Sequence, residues 1–340
     1  MAAPATVSVS IIIPVRNEAQ HIGPLLEFAT AAELPKREIL VIDGRSDDGT
    51  RDIVVEHQRK DPRIRLLDNP RRIVTTAVNI GFAEARGDVI MRLDAHAEYA
   101  PDYIDRCLEV LEETDAGNVG GAARPTSDGS FMGDVIKALH QSRFGVGAAS
   151  FRQESVEGWV DTVWPGTFRR QALEQVGMHV REDLPRSEDI ELNSRLRQAG
   201  WGIYQSSKIK AYYHPRKSLW ALCKQSSANG EGVIHTTKLG LGGVSRRHWV
   251  PLLFVLWLAA GVLASPFLVL ARWALVGLLA TYFAVALAVA VKATRGHRPA
   301  MMLFLPITFF LVHTSYGLGS IVGSLTRPRC PEPSASVGTP

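Results

Sequence analysis

Two rhythms alternate along the first hundred residues. Short, nearly continuous apolar runs bounded by turn residues, at 7–15, 38–42, 64–67 and 88–93, take turns with stretches of helical spacing at 19–32, 50–59 and 74–86. An apolar run of that length without polar alternation is the mark of a strand covered on both faces. The pattern therefore predicts an α/β domain, a mostly parallel sheet with helices on both faces, whose ligands sit at the carboxyl ends of the strands. The chemistry is expected just after residues 13, 42 and 93. The polar segments 14–18, 43–50 and 94–96 follow those positions.

Beyond residue 248 the pattern changes. Residues 249–271, 273–291 and 299–326 contain no charged side chain, and each run reaches the roughly 20 residues that a helix needs to cross about 30 Å of hydrocarbon. Buried core helices are the alternative, but three such runs in succession, with Trp249 and Trp273 at boundaries, favour three transmembrane helices. Arg272 leaves almost no loop between the first two, so they form a tight hairpin, with Pro266 a second candidate for the turn. The segment 217–248, with Trp220, Leu222 and several glycines, reads as an amphipathic connector at the membrane interface. Residues 327–340, rich in proline and small polar residues, read as a disordered tail. The expected organisation is thus a catalytic domain over 1–216, a connector, a membrane region over 249–326 and the tail.

Charge sharpens this division. Residues 1–248 carry 32 Lys and Arg against 33 Asp and Glu, whereas residues 249–340 carry 6 against 1. The basic excess lies beside apolar runs, which argues for membrane flanks and against a nucleic-acid groove. Arg246 and Arg247 before the first run, and Lys292, Arg295 and Arg298 between the second and third, fall on one face of a hairpin. The positive-inside rule makes that face cytoplasmic, and with it residues 1–248, in a multi-pass protein of a bacterial-type plasma membrane. Arg327 and Arg329 would lie on the other side, so either the rule is broken there or the last run is re-entrant. The apolar run at 7–15 has no basic residue before it and continues into Arg16, Asn17 and Glu18, unlike a signal peptide. Cys107, Cys223 and Cys330 are too far apart in sequence to argue a disulfide framework or a zinc motif.

At the strand ends the structural and chemical readings compete. In PVRNE, Asn17 as a helix cap and Glu18 in the first turn suffice. In DGRSDDGT, Asp48 suits a cap and Gly49 a turn, but Asp43 has no such duty and suits the hydroxyls or base edge of a nucleotide. Asp94 and His96 follow an apolar strand, where metal binding by Asp94 outweighs a turn cap. An oxygen-rich site with one imidazole suits Mn²⁺ at least as well as Mg²⁺, and such an ion would neutralise charge on a departing diphosphate. Between residues 187 and 200, Ser187 reads as a cap, Glu188 and Asp189 complement the helix dipole, and Gly200 ends the helix. Only the combination with the earlier motifs makes Asp189 a candidate general base.

Together VSIIIPVRNE, EILVIDGRSDDGT, RLDAHA, PGTFRR and SEDIELNSRLRQAGW resemble the family 2 glycosyltransferases, which have the GT-A fold. The DAHA form and the membrane segment look like the transferases of succinoglycan-type exopolysaccharide assembly. The resemblance implies a uridine pocket lined by Pro14, Glu18 and Asp43, a divalent ion (Mn²⁺ or Mg²⁺) carrying the diphosphate at Asp94, and Asp189 as the base that takes the acceptor proton in an inverting single displacement. It further implies that the Gly166 backbone approaches donor sugar and acceptor, that Trp164 stacks on a sugar ring, and that Arg16, Arg72 and Glu188 belong to the substrate-binding set. Three departures stand out. His96 replaces the second carboxylate of the usual DxD, leaving His214 as a candidate additional ligand. The QxxRW motif of processive synthases is missing, since Gln225 is followed by Ser226, Ser227, Ala228 and Asn229, which favours addition of one sugar. Gly44 replaces the second carboxylate of DDG, so the nucleotide leans on Asp43 and Arg45. The implied partners are a nucleotide sugar, with UDP the expected nucleotide, and a lipid-linked saccharide acceptor at the bilayer surface. A nucleotidyltransferase lacks support, because no Gly-rich loop with an adjacent Arg precedes the first helix. A catalytically retired membrane scaffold draws weight from His96 and the broken QxxRW, against the retention of Asp94 and Asp189.

Overall fold

The computed structural model describes residues 7–32, 36–147, 153, 155–184, 187–216, 218–240, 246–294 and 298–328. In chain order the elements are β1 (Val9–Val15), α1 (Ile22–Ala31), β2 (Arg37–Asp43), α2 (Thr50–Lys60), β3 (Ile64–Asp68), α3 (Val74–Glu84), β4 (Val89–Arg92), β5 (Ala97–Tyr99), α4 (Tyr103–Thr114) and β6 (Asn118–Pro125). Then come α5 (Phe131–Gln141), α6 (Arg143–Val146), β7 (Gly158–Trp159), β8 (Thr167–Arg169), α7 (Arg170–Gln175), α8 (Glu188–Gln198), β9 (Ile203–Tyr213), α9 (Leu219–Lys238), α10 (Trp249–Ala264), α11 (Val269–Ala293) and α12 (Met301–Leu325). The described residues divide into two compact units, one of 7–124 with 153–213, the other of 125–147 with 214–327.

The first unit is built on one sheet in the order β3-β2-β1-β4-β8-β6-β9-β5, with β7 paired to β9. The parallel part expected from the sequence is β3-β2-β1-β4. From β8 onward the recorded pairings β4–β8, β6–β8, β5–β9 and β7–β9 are antiparallel, so the sheet is mixed. Strand alternation sorts the side chains onto two faces. Ile11, Ile13, Ile39, Val41 and Met91 pack with Ile22, Leu26, Tyr103 and Leu111 of α1 and α4. Ile12, Leu40, Ile42 and Ile90 pack with Val78 and Phe82 of α3 and with Leu173, Leu192 and Leu196 of α7 and α8. Both faces are dry, which is why these strands lack polar alternation.

The second unit is helical. Residues 125–147, which the sequence reading places inside the first domain, belong here, and Val135, Ile136 and Leu139 of α5 share a core with Met301, Leu305 and Phe309 of α12. Helix α9 runs alongside the C-terminal half of α12, as Ser226 Oγ donates to the Val312 carbonyl at 2.8 Å and Thr326 Oγ1 lies 3.0 Å from His235 Nε2. Glycines allow this approach: a Cβ at Gly319 would overlap the Ser227 carbonyl, and one at Gly230 the Tyr316 carbonyl. Among the described residues three helices are long and apolar enough to cross a membrane, 246–264, 269–293 and 301–325. The chain turns between Ser265 and Leu268, at Pro266 rather than at Arg272. Arg272 lies in the first turn of α11 and donates to the Ser265 carbonyl at 3.2 Å. The third is one continuous helix of 25 residues. The expected tail lies, from residue 329, outside the described residues.

Candidate functional site

The carboxyl ends of β1 and β2 are adjacent in register, Val15 opposite Asp43, and their loops are laced together. Asn17 takes a left-handed conformation, its N–H donating to Ser46 Oγ at 2.9 Å and its side-chain oxygen accepting from Asp47 N at 3.1 Å. Glu18 N donates to Thr50 Oγ1, and Ala19 N to Asp48 Oδ2. Asn17 is therefore not a helix cap, and α1 begins only at Ile22, because residues 17–19 bond to the neighbouring loop. Asp48, one residue before the assigned cap position, does satisfy the first N–H of α2, that of Thr50, at 3.0 Å. Its carboxylate accepts from Thr50 and Ala19, and the cap position of α2 is Gly49 with φ +95°.

Asp43 is fully buried, contrary to the expectation that it has no structural duty. Its Oδ1 accepts from Ser46 Oγ at 2.6 Å, and its Oδ2 lies 3.3 Å from Arg51 Nη1, which also bonds Asp68 at 2.5 Å. Pro14 neighbours it on β1, opposite Ile42. Gly44 makes room for Arg16, whose aliphatic stem passes 3.2 Å from where a Cβ would stand. Arg45 and Arg72 both have positive φ. Arg72 lies in the turn after β3 whose Asn69 N–H donates to the Asp43 carbonyl at 2.8 Å. The neighbouring Arg71 pairs with Glu182.

At the end of β4, Asp94 is 5% exposed and held from both sides. Arg92 Nε donates to its Oδ1 at 2.8 Å, and the indole Nε1 of Trp164 to its Oδ2 at 2.9 Å. Burial works against its charge, but Arg92, His96 and these donors outweigh it and keep the carboxyl below its ordinary value. His96 is half-exposed, with Nδ1 at 3.8 Å from Glu18 Oε1, and the other Glu18 oxygen lies 2.8 Å from His21 Nδ1. Trp164 is thereby tethered by its indole and packs edge-on against Tyr213. Gly166 owes its identity to its neighbours, since a Cβ would overlap the Phe168 ring and stand 2.9 Å from Asn118 Oδ1.

Helix α8 brings the remaining carboxylates. Ser187 sits at its cap position with φ +67° and no side-chain cap bond, so the sequence reading had the place right and the bond wrong. Glu188 is buried and its Oε1 lies 3.3 Å from Arg92 Nη1. Asp189 lines a recess with Arg92, Trp164, Gly166, Glu188 and Asn193. Enclosure and the neighbouring Glu188 charge raise its pKa to about 6, against a smaller pull from Arg92. Asn193 fixes the helix from below, accepting from Asn118 Nδ2 at 2.8 Å and donating to Thr162 Oγ1 at 2.9 Å.

The structure thus brings Asp94, Trp164, Gly166, Glu188 and Asp189 around one partly buried arginine, Arg92. Sequence reasoning missed Arg92 and Asn193. Arg92 sits inside the run VIMRL, where a cation amid apolar residues was the available signal. His214 belongs to the second unit, its Nδ1 2.8 Å from Thr126 Oγ1. Among the described residues no three His, Cys, Asp or Glu side chains assemble as a ligand group. An ion held at Asp94 and His96 would have to take its other ligands from water and phosphate oxygens.

The sequence pattern described as Glycosyl transferase family 2 matches residues 10–176. The chain is 35% identical over 225 residues to the succinoglycan biosynthesis protein ExoA of Rhizobium meliloti, covering 65% of this chain and 68% of that protein. It is 28% identical over 231 residues, 65% of this chain and 71% of the relative, to a dolichyl N-acetyl-alpha-D-glucosaminyl phosphate 3-beta-D-2,3-diacetamido-2,3-dideoxy-beta-D-glucuronosyltransferase of Methanococcus voltae. Among solved structures, the mannosyltransferase PcManGT of Pyrobaculum calidifontis, in complex with GDP-Man and Mn²⁺, superposes with a TM-score of 0.59 at 20% identity, covering 96% of this chain and 89% of its own.

Proposed function

We propose, for a chain that belongs to glycosyltransferase family 2, that it is a membrane-bound inverting transferase adding a single sugar from a nucleoside-diphosphate sugar to a lipid-linked saccharide in exopolysaccharide or cell-envelope glycan synthesis. The observation that carries the reading is Asp189. Its carboxylate has a proton affinity suited to a general base near neutral pH and lines a recess with Arg92, the partner of Asp94. In the proposed reaction Asp189 removes the acceptor hydroxyl proton as that oxygen attacks the anomeric carbon. The bond from that carbon to the diphosphate oxygen breaks on the opposite face, and the electron pair leaves with the nucleoside diphosphate. A single carboxylate suffices.

Asp43 and the laced 16–19 and 44–50 loops line the nucleotide side, with UDP the nucleotide proposed and Pro14, Arg16, Glu18 and Arg72 as further contacts. Asp94 and His96 would hold a divalent ion, which when bound supplies positive charge beside the diphosphate. Trp164, anchored to Asp94, presents its ring to the sugar. Three apolar helices and relatives that include a dolichyl-phosphate sugar transferase support the lipid-linked acceptor. The basic flanks support a cytoplasmic first unit.

The test is nucleoside diphosphate release from a panel of nucleotide sugars by the solubilised full chain, with Mn²⁺ and a membrane lipid extract, beside Asp189→Asn. Release from one donor that needs lipid and is lost in the variant is the expected result. No release from any donor, together with absent donor binding, would instead favour a scaffold.

A further inference from the structure

We infer that Arg92 is a positioning residue that sets the diphosphate side and the base side of the site against each other through one planar guanidinium. The inference rests on the transferase reading above and adds to it a residue outside the five matching motifs' recognised roles. Strand β4 is otherwise apolar, and a cation at the end of a strand covered on both faces is costly unless its donors are used. Here they are used in two directions. Nε holds Asp94 at 2.8 Å, Nη1 reaches Glu188 at 3.3 Å, and the backbone N–H of the same residue donates to the Gly166 carbonyl at 3.1 Å.

Three segments distant in sequence thus converge on one residue: the β4 end with Asp94 and the first turn of α8 on its guanidinium, and the Trp164–Gly166 turn on its backbone N–H. Glu188 is the residue before Asp189, so the guanidinium fixes the turn that carries the base without touching the acceptor itself. It also sets one positive charge among the carboxylates of Asp94, Glu188 and Asp189, whose mutual repulsion would otherwise spread them. Arginine suits this duty because its donors point along fixed, separate directions; a lysine ammonium is a single point and reaches one carboxylate at a time.

The experiment compares wild type, Arg92→Lys, Arg92→Gln and Glu188→Gln as full-length protein. It records kcat and KM for whichever donor the wild type uses, UDP and GDP binding by calorimetry, and thermal unfolding. Misplacement of reacting groups by about 1 Å lowers turnover on the order of 100-fold. Arg92→Gln is therefore expected to lose about that factor in kcat, with KM changing several-fold less, and Arg92→Lys to recover part of it. Combining Arg92→Gln with Glu188→Gln should cost clearly less than the product of the single effects, because both cut the same link. If Arg92→Gln fails to fold, Glu188→Gln alone decides, since it removes the charge from the link while keeping the cation. A wild-type kcat in a folded Glu188→Gln, or variants that melt earlier yet turn over normally, would overturn the inference. A wild type that releases nucleoside diphosphate from no donor would remove the transferase reading and this inference with it, whereas equal kcat across active variants removes only the inference.

Discussion

Asp189 is held in a state that the folded protein resists. Its enclosure and the neighbouring Glu188 raise its pKa above the usual carboxylate range to about 6, so ionising it costs the native state what the unfolded chain does not pay. Stability from such a group is complete below the unfolded pKa and is lost as pH rises through the folded one. Asp189→Asn is therefore expected to raise the melting temperature, by a margin that widens between about pH 4 and pH 6 and is then constant; calorimetric scans across that range check it. Activity has the opposite preference. The wild-type kcat/KM should climb with pH and level off above about pH 7, and Asp189→Asn should lose on the order of 10²–10⁴-fold at the plateau. Asp94 shows the contrasting case, a carboxylate whose ionised form is favoured by Arg92 and Trp164. Which polar residues end up at the strand ends was legible, because Asp43, Asp94 and Asp189 follow apolar runs or open a helix. What each one bonds was not. Ser46 and Arg51 on Asp43, and Arg92 between Asp94 and Glu188, depend on side chains converging from separate elements, and no local periodicity encodes that convergence.

Among the elements, the seven expected over residues 7–93 all form, with ends shifted by a few residues. Burial on both faces makes those apolar runs unambiguous. The start of α1 moved because tertiary bonding to the 44–50 loop took the backbone N–H groups of residues 17–19 that a helix start would have used. Helices α5 and α6 went unread for a different reason: their apolar residues answer to α12, far along the chain. In α9, within the segment read as an interfacial connector, Leu222, Ser226, Gly230, Val233 and Ile234 are buried and its glycines and serines meet those of α12. That contact yields a prediction with its own control. Gly319→Val places a side chain on the Ser227 carbonyl, and overpacking of this kind costs about 1–3 kcal/mol. Gly277 on α11 has nothing within 4 Å of an added Cβ, so Gly277→Val should leave the unfolding temperature in detergent unchanged while Gly319→Val lowers it. Equal melting of the two would mean that α9 and α12 separate in solution. The pair Tyr282 Oη and His313 Nδ1, 2.8 Å apart amid Phe144, Phe254, Phe309 and Phe310, has the same origin in long-range packing and left no signature in the sequence.

Across the whole molecule, charge is divided as the units are. Residues 1–124 and 153–213 carry 23 Lys and Arg against 30 Asp and Glu, while 125–152 and 214–327 carry 14 against 3. The basic surplus therefore belongs to the unit that holds the three apolar helices, and the part with the carboxylate site is net acidic. An anionic leaflet attracts basic juxtamembrane residues at about 1 kcal/mol each near the surface, and the same residues resist translocation. Arg246 and Arg247 before α10, with Lys292 and Arg298 between α11 and α12, should thus remain on the cytoplasmic side and keep the first unit there. Protease added to right-side-out vesicles from cells expressing the full chain should spare the first unit, whereas protease added to inverted vesicles should degrade it. Since α12 is a single 25-residue helix, a tag placed after Arg327 should show the reverse pattern, reachable only from outside. A tag reachable from the same side as the first unit would mean that two of the three helices cross and that α12, sheathed by α9 over its C-terminal half, does not.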